Sequence, residues 1–420
     1  IDTWVQIVSG GRSNIKPEAL PWKALKTLLG VSVYGSRIDR DFDQRLLETY
    51  IDRLFGPHVY SLGHSLADVD GGGLTLPSGH THAEFADWVH ALPNTETPEW
   101  LGLPGDSHRL LQARTGREIL RKLSQLQNVM EDFPRGGEGE AREILGEAPC
   151  RPLWAGRLVD ILSEWSEGLQ GKGAITPVQS SEGDPVLQAL HREATALNTL
   201  LDEVKKDLVE LIDICHGSRK PTNRHRALTR CLSKDMLPTE WSRFLCMPGM
   251  TVGAWIADLG QRATAMETLC KVKPSDYHRV HFHLGLMLYP DAFITATRQA
   301  IARSFKLSLE SLELVLDIDS DHGASRGYSI VGLTLEGAAF IGGCVQLQSS
   351  HALGSELPPV ELSWRKRDDM QLQHRTMRFP LYLNTARTVV LCQVPLQVDP
   401  AVPKHTWYER GVCMVAWHGD

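Results

Sequence analysis

The chain has 420 residues, of which 42% are hydrophobic and 23% charged. That is enough apolar material for two or three packed units, and it excludes a wholly disordered chain. Its 44 basic residues face 51 acidic ones, giving a formal net charge of −7, which excludes a general nucleic-acid binder because phosphate neutralisation needs a cationic excess.

The longest nearly charge-free run, residues 330–345, contains Glu336 and glycines at 332, 337, 342 and 343. It reads as a hairpin, not as a bilayer span of about 20 apolar residues, so no membrane partner is expected. The opening Ile1-Asp2-Thr3-Trp4 has no basic segment followed by an apolar one, and reads as a piece of a longer polypeptide. Eight cysteines (150, 215, 231, 246, 270, 344, 392 and 413) lie far apart with no Cys-x-x-Cys pair, which predicts reduced core thiols.

In chain order, the first expected helix begins at Pro21-Trp22, with Leu25, Leu28 and Leu29 on one face. A second covers residues 41–54 through Phe42, Leu46, Leu47, Ile51 and Leu54. Gly71-Gly72-Gly73 then marks a boundary that closes a first unit over residues 1–70. Further helices are expected between His82 and Met130, the last built on Leu110, Leu111, Ile119, Leu120, Leu123, Leu126 and Val129. The glycine-rich run 134–140 is too poor in apolar residues to pack and reads as a surface loop. A helix resumes near Leu153 with Trp154, Leu158, Ile161, Trp165 and Leu169, and Gly171 ends it.

The clearest periodicity runs through Leu187, Leu190, Ala194, Leu197, Leu201, Val204, Leu208 and Leu211 to Cys215, in steps of three and four. This predicts one long helix with a narrow apolar seam, N-capped by Asp184, started by Pro185 and stopped by Gly217. The seam suits either a coiled-coil dimer interface or a long helix packed inside its own bundle, where it would act as a strut. One more helix is expected over residues 252–269, with Trp255, Ile256, Leu259, Ala263 and Met266 inward.

Near residue 311 the period changes from 3.6 to 2: Leu312, Leu314, Leu316 and Ile318 alternate with Glu313, Val315 and Asp317. Strands follow at 328–335, 339–347, 360–365, 377–383, 388–398 and 407–417. The fold class is therefore α+β: an N-terminal helical subdomain (1–70), a helical bundle with the long helix (71–275) and a C-terminal antiparallel β-barrel or sandwich (276–420).

Catalytic motifs are not evident. Gly171-Lys172 is followed by Gly173, and Ser166 stands where a P-loop needs its first glycine. Asp317, Asp319 and Asp321 mimic an EF-hand start, but Tyr328 takes the place of the bidentate glutamate, leaving a polar turn as the reading. His278, His281 and His283 beside Asp276 suit either a shared metal or surface and core histidines. Gly-x-Ser-x-Gly and His-Glu-x-x-His do not occur. Arg219, Lys220, Arg224, Arg226 and Arg230 form a local basic patch, fitted either to an acidic partner or nucleic-acid backbone or to a solvated helix face. An independent scaffold using this patch, and an enzyme with its pocket in the strand region, are the competing function classes.

Several motifs recur in a shared order. Trp22-x-x-Leu25-Lys26-Thr27-Leu28, Tyr34-Gly35-Ser36-Arg37-Ile38 and Asp41-x-Asp43-Gln44-Arg45-Leu46-Leu47 resemble the lid-like helical subdomain closing the sixth AAA+ module of dynein heavy chains. Pro98-Glu99-Trp100-Leu101-Gly102-Leu103-Pro104, Leu237-Pro238-x-x-Trp241, the 248–255 segment with Thr251 and Trp255, and Phe293-Ile294-Thr295-Ala296-Thr297-Arg298-Gln299 resemble landmarks of the C-terminal domain in the same family. So do Gly332-Leu333-x-Leu335-x-Gly337-Ala338, Leu357-Pro358 with Leu362 and Trp364, Pro380-Leu381-Tyr382-Leu383-Asn384 with Arg387, and Tyr408-Glu409-Arg410-Gly411-Val412. The Trp-Leu-Gly-Leu-Pro and Tyr-Glu-Arg-Gly-Val variants are most similar to the cytoplasmic branch. Ser36, where the family has a second glycine, and His283-Leu284-Gly285, where a glycine pair is usual, depart from the pattern at turns.

The resemblance implies a fragment of a minus-end-directed microtubule motor, cytoplasmic and associated with the cytoskeleton. It implies a segment without catalytic residues or a cofactor of its own, the parent motor using ATP and Mg²⁺ in upstream modules. The implied partners are the other AAA+ modules of the same heavy chain and, through the parent motor, the microtubule, accessory chains and regulators. The implied role is to tune processivity and the coupling of ring conformations.

Overall fold

The computed structural model describes residues 20–61, 81–92, 153–178, 183–244, 250–318, 327–347, 354–367 and 376–416, with isolated positions 18, 64, 65, 75, 77, 112, 115, 116, 119 and 120. The glycine run at 71–73, the expected loop at 134–140, the 98–104 motif, Asp319, Asp321, Cys150 and Cys246 lie outside the described residues. So do most positions of the helix expected up to Val129. The chain divides into two compact units, one drawn from Ile1–Arg114, Glu336–Ser355 and Val398–Cys413 and the other from Thr115–Leu335, Glu356–Gln397 and Met414–Asp420.

In the first unit, helix α1 (Trp22–Leu28) runs into a π-helical turn (Leu29–Val33) and is followed by α2 (Asp41–Leu54). Leu25 is buried as expected, but Leu28 is 45% exposed, so the apolar face of α1 is narrower than its spacing suggests. Trp22 meets Phe55 edge-on at 5.2 Å, and Gln44 donates through Nε2 to the carbonyl of Gly30 at 3.0 Å. Helix α3 (His82–His90) starts with a capping box made by Thr81 and Glu84.

The second unit begins with α4 (Leu153–Gln170), the long helix α5 (Pro185–His216), α6 (Asn223–Ser233) and α7 (Val252–Lys271). On α4, Leu158, Leu162 and Leu169 face inward while Ile161 is exposed, a shift of one residue from the expected face. Helix α5 ends as its sequence predicts. Asp184 Oδ1 accepts the N–H groups of Val186 (2.9 Å) and Leu187 (3.4 Å), and Gly217 closes the helix at φ +78°, a conformation other residues reach only with strain. Its 32 residues span about 48 Å at 1.5 Å each.

The region from residue 276 onward is not purely strand. Strand β1 (His281–His283) is followed by a 16-residue helix, α8 (Pro290–Phe305), which the sequence reading passed over. Its signals are present: Pro290 at the first helical position, with Phe293, Ile294, Ala296 and Thr297 at helical spacing and all buried. The strands after it are β2 (Leu312–Ile318), β3 (Tyr328–Val331), β4 (Thr334–Glu336), β5 (Ala338–Ile341), β6 (Cys344–Leu347), β7 (Ser355–Glu356), β8 (Val360–Lys366), β9 (Thr376–Tyr382) and β10 (Val390–Gln397). The run expected as a strand over 407–417 divides instead into a short helix, α9 (Lys404–Glu409), and strand β11 (Cys413–Val415). Pro403 precedes this helix, and the backbone turns out of it at Gly411.

The α+β class holds, but the strands are mixed in direction. One sheet has the order β1-β3-β8-β2, with β1 parallel to β3 and the other pairs antiparallel. A second has the order β10-β9-β11-β4-β7, with β11 parallel to β9. Neither closes into a barrel among the described residues, because each has a linear strand order with two ends. The parallel pairs follow from the helices: α8 lies between β1 and β3 in sequence, and parallel strands need a crossover. In the first unit, β5 and β6 form a two-residue hairpin over Gly342-Gly343, both at positive φ as such a turn requires. There, too, α9 packs on α2: the Phe42 and Tyr408 rings lie 5.2 Å apart and Arg53 reaches Glu409 at 3.8 Å.

Candidate functional site

Helix α5 is covered by α4, α6, α7 and α8 of the same unit. The seam residues Leu187, Leu190, Leu197, Leu201, Val204, Leu208 and Leu211 are all buried there and belong to the unit's own core. Burial of this kind contributes about 1.5–3 kcal/mol per large aliphatic side chain relative to exposure. A seam already packed within its own unit leaves no free apolar stripe for a coiled-coil partner.

Sequence reasoning missed three acidic residues that share the buried side of α5. Glu193 is 4% exposed and Asp207 1%, and Glu210 is also buried. Burying a carboxylate is costly unless it is hydrogen-bonded or paired, and each of the three is. Positions 193 and 207 are 14 residues apart, which returns to within about 40° of the same helix face, and Glu210 lies about 60° farther round, toward α6. An acidic residue recurring on the apolar side of an amphipathic helix was the available signal.

Each anchor holds a different neighbour. Glu193 accepts the backbone N–H of Tyr289 at 3.1 Å and that of Leu288, tying the start of α8 to α5. Burial pushes its carboxyl above the ordinary range, with the two N–H donors and Arg262 pulling the other way. Asp207 accepts from Arg224 Nη1 at 2.6 Å and Nη2 at 2.8 Å, a bidentate pair, and from Trp241 Nε1 at 3.0 Å. Glu210 faces His225 Nε2 at 2.8 Å and Arg219 Nη1 at 2.9 Å. The His225 hydrogen bond, then the Arg219 charge, holds the Glu210 carboxyl below the ordinary range against the cost of burial.

His225 also closes the N-terminus of α6. Its Nδ1 accepts the backbone N–H of Thr222 at 3.3 Å, while Thr222 Oγ1 accepts the N–H of His225 at 3.3 Å. With Nδ1 accepting, the ring proton sits on Nε2 and is donated to Glu210. One buried imidazole, 3% exposed, therefore caps α6 and fastens it to α5.

The five residues of the sequence-derived basic patch are all exposed but are not engaged alike. Arg219 and Arg224 point to α5 and are paired with Glu210 and Asp207. Lys220, Arg226 and Arg230 are exposed, and no ion pair reaches them among the described residues.

Beside Glu193, a buried network fixes the segment leading into α8. Arg262 donates through Nε to Asp258 at 2.8 Å and through Nη1 to the carbonyl of Met287 at 2.9 Å, and its guanidinium lies 4.1 Å from the centroid of the Phe244 ring. A cleft of about 410 Å³ opens between α5 and α8 beside Gln188, Arg192, Glu193, Tyr289 and Gln299. Farther along α8, Thr297 Oγ1 accepts from Trp364 Nε1 of β8 at 2.9 Å, so α8 is held by α5 at one end and by a sheet at its middle. Phe282 of β1 and Tyr328 of β3 pack on Phe293 at 4.8 and 5.7 Å.

The histidines singled out in the sequence are separated in their surroundings. His281 is exposed, with Nδ1 2.7 Å from Ser329 Oγ, and His283 packs over Gly332. The side chain of His278 lies outside the described residues. Among the described residues no group of three or more His, Cys, Asp or Glu is arranged to hold a metal ion, and no helix is long and apolar enough to cross a membrane. Cys215 and Cys413 are buried and Cys231, Cys270, Cys344 and Cys392 partly buried, none of the six in a disulfide.

Comparison with known proteins matches residues 113–416 to the family model for the C-terminal domain of the dynein heavy chain and residues 5–107 to that for the AAA lid domain of the dynein heavy chain. The cytoplasmic dynein heavy chain of Dictyostelium discoideum is 33% identical over 437 residues, an alignment covering 100% of this chain and 9% of that protein. Its Drosophila melanogaster counterpart is 33% identical over 436 residues, covering 99% of this chain and 9% of that protein. The rat cytoplasmic dynein 2 heavy chain 1 is 22% identical over 396 residues, covering 89% of this chain and 9% of that protein. The chain thus spans about a tenth of the length of these relatives.

Proposed function

Because this chain belongs to the dynein heavy chain family, we propose that it serves as the non-catalytic regulatory end of a minus-end-directed microtubule motor. In this reading ATP and Mg²⁺ are handled by upstream modules of the heavy chain, and this segment has no cofactor. Its direct partners are the other AAA+ modules of the same polypeptide. Microtubule, accessory chains and regulators are reached through the whole motor, in the cytoplasm and on the cytoskeleton, as the names of the relatives suggest.

The observation that carries the reading is the double tether on α8, with Glu193 at its start and Trp364 at its middle. An appended segment alters a motor cycle only by binding one conformation better than another, and about 1.4 kcal/mol of difference shifts that balance tenfold. A helix pinned both to a spine of about 48 Å and to a sheet passes a displacement of one to the other without absorbing it in a loop.

The test uses the full-length heavy chain. Combining Thr297→Val with Trp364→Phe cuts the sheet tether, and the expected result is altered run length and microtubule-stimulated ATP turnover with nucleotide binding upstream unchanged. Unaltered run length and turnover would remove the regulatory role, and sustained ATP turnover by this segment alone would remove the non-catalytic one.

A further inference from the structure

Residues 218–234 contain six cations, Arg219, Lys220, Arg224, Arg226, Arg230 and Lys234, and no acidic residue, within a chain of net charge −7. Two of the six are used internally: Arg219 and Arg224 pair with Glu210 and Asp207 of α5 and hold α6 in place. Four remain. Lys220, Arg226 and Arg230 are exposed, Lys234 is half-buried at the C-cap of α6, and among the described residues none of the four has an ion-pair partner.

The orientation of α6 is fixed by what it buries. His225, Leu228 and Leu232 form its inner face, which turns Arg226 and Arg230 outward one helical turn apart, with Cβ atoms about 6 Å from each other. Two guanidinium groups at that spacing present paired forks to carboxylates, with Lys220 and Lys234 as point charges at either end. The inner arginines and the His225 cap set the geometry, so the outer cations are displayed on an anchored element.

We propose that this outward face of α6 docks an acidic polypeptide segment, one whose carboxylates recur about one helical turn apart. Charge complementarity selects that partner over a nucleic acid. The 11 residues of α6 span about 17 Å, and two arginines on so short a helix with one lysine beyond each end displace few counterions, which suits a short acidic segment better than a nucleic-acid duplex.

The experiment measures binding of a fluorescein-labelled decaglutamate peptide to the 420-residue chain by anisotropy, at low and at physiological salt. The expected result is binding that weakens with salt and falls about tenfold in Arg226→Glu/Arg230→Glu at an unchanged melting temperature. The control Lys23→Glu/Lys404→Glu makes the same change in net charge at exposed cations elsewhere and is expected to bind as the parent does. Should the reversal variant lower the melting temperature, Arg226→Gln/Arg230→Gln is used, with the same direction expected. No binding by the parent, equal loss in the control, or tighter binding of a DNA duplex of matched charge that the same variant abolishes would each overturn the proposal.

Discussion

Helices α2 and α5 both begin and end where their sequences place them, yet they stand in their units in opposite ways. Helix α2 buries only Phe42 and Ile51, has no side-chain cap at its N-terminus, and makes its ion pairs on the surface, as between Lys26 and Asp52 at 2.8 Å. Helix α5 is capped at both ends, buries a full apolar seam and carries three buried carboxylates, each occupied by a different neighbour. Periodicity alone identifies both as helices. What separates a surface helix from a spine is which charges lie on the apolar side and whether something else in the fold answers them.

The largest expected effect falls on the seam. Leu201 is 2% exposed, and Leu201→Asp would place a carboxylate with no donor there, so thermal melting is expected to show a loss of about 4 kcal/mol or more. An unchanged melting temperature would take Leu201 out of the core and make α5 resemble α2. Asp207→Ala comes next. It leaves the buried indole N–H of Trp241 without its acceptor and frees Arg224, which is exposed enough to regain water, so the expected loss is about 2–3 kcal/mol by chemical denaturation. Removing Arg224 as well should cost little more, because the two residues share one interaction.

A third prediction concerns acid. The folded state holds the Glu210 carboxyl below its ordinary value, mainly through His225, so the stability it contributes is present above the unfolded carboxyl's pKa and is lost as pH falls through the folded value. Glu210→Gln is therefore expected to melt below the parent at about pH 7 and to approach it as the pH drops toward about 3. A gap that stays constant over that range would assign the loss to packing.

How much of this could be read from the sequence depends on whether the deciding contact is local. The ends of α5 were legible because Asp184, Pro185 and Gly217 act within a few residues of the positions they cap. The inner face of α7 was legible for the same reason: Trp255, Ile256, Leu259, Ala263 and Met266 mark it by spacing alone. Strand existence in the last third was legible by alternation, but strand direction was not, since β1 runs parallel to β3 across a connection that holds α8, and that helix lies in a part of the 276–420 domain for which no element was expected. The basic patch was found as a set, but its division into inner and outer cations depends on Asp207 and Glu210, which lie on the preceding helix and face it only once α6 folds back on α5. Charge clustering in sequence cannot show that pairing.

The smallest expected effect completes the contrast with α5. Lys26 reaches Asp52 of α2 at 2.8 Å, but the aspartate side chain is 70% exposed, so water competes for both charges and salt screens what remains. Lys26→Met keeps an aliphatic stem on α1 and removes the charge with its 3.3 Å hydrogen bond to the Asp52 carbonyl. The expected loss is below about 1 kcal/mol and should vanish at about 1 M salt, whereas the loss from Asp207→Ala should persist there because Asp207 and the indole of Trp241 are buried away from the electrolyte. If Lys26→Met cost as much as Asp207→Ala at every salt concentration, distance between charges would govern these pairs more than burial, and α2 would be anchored as α5 is.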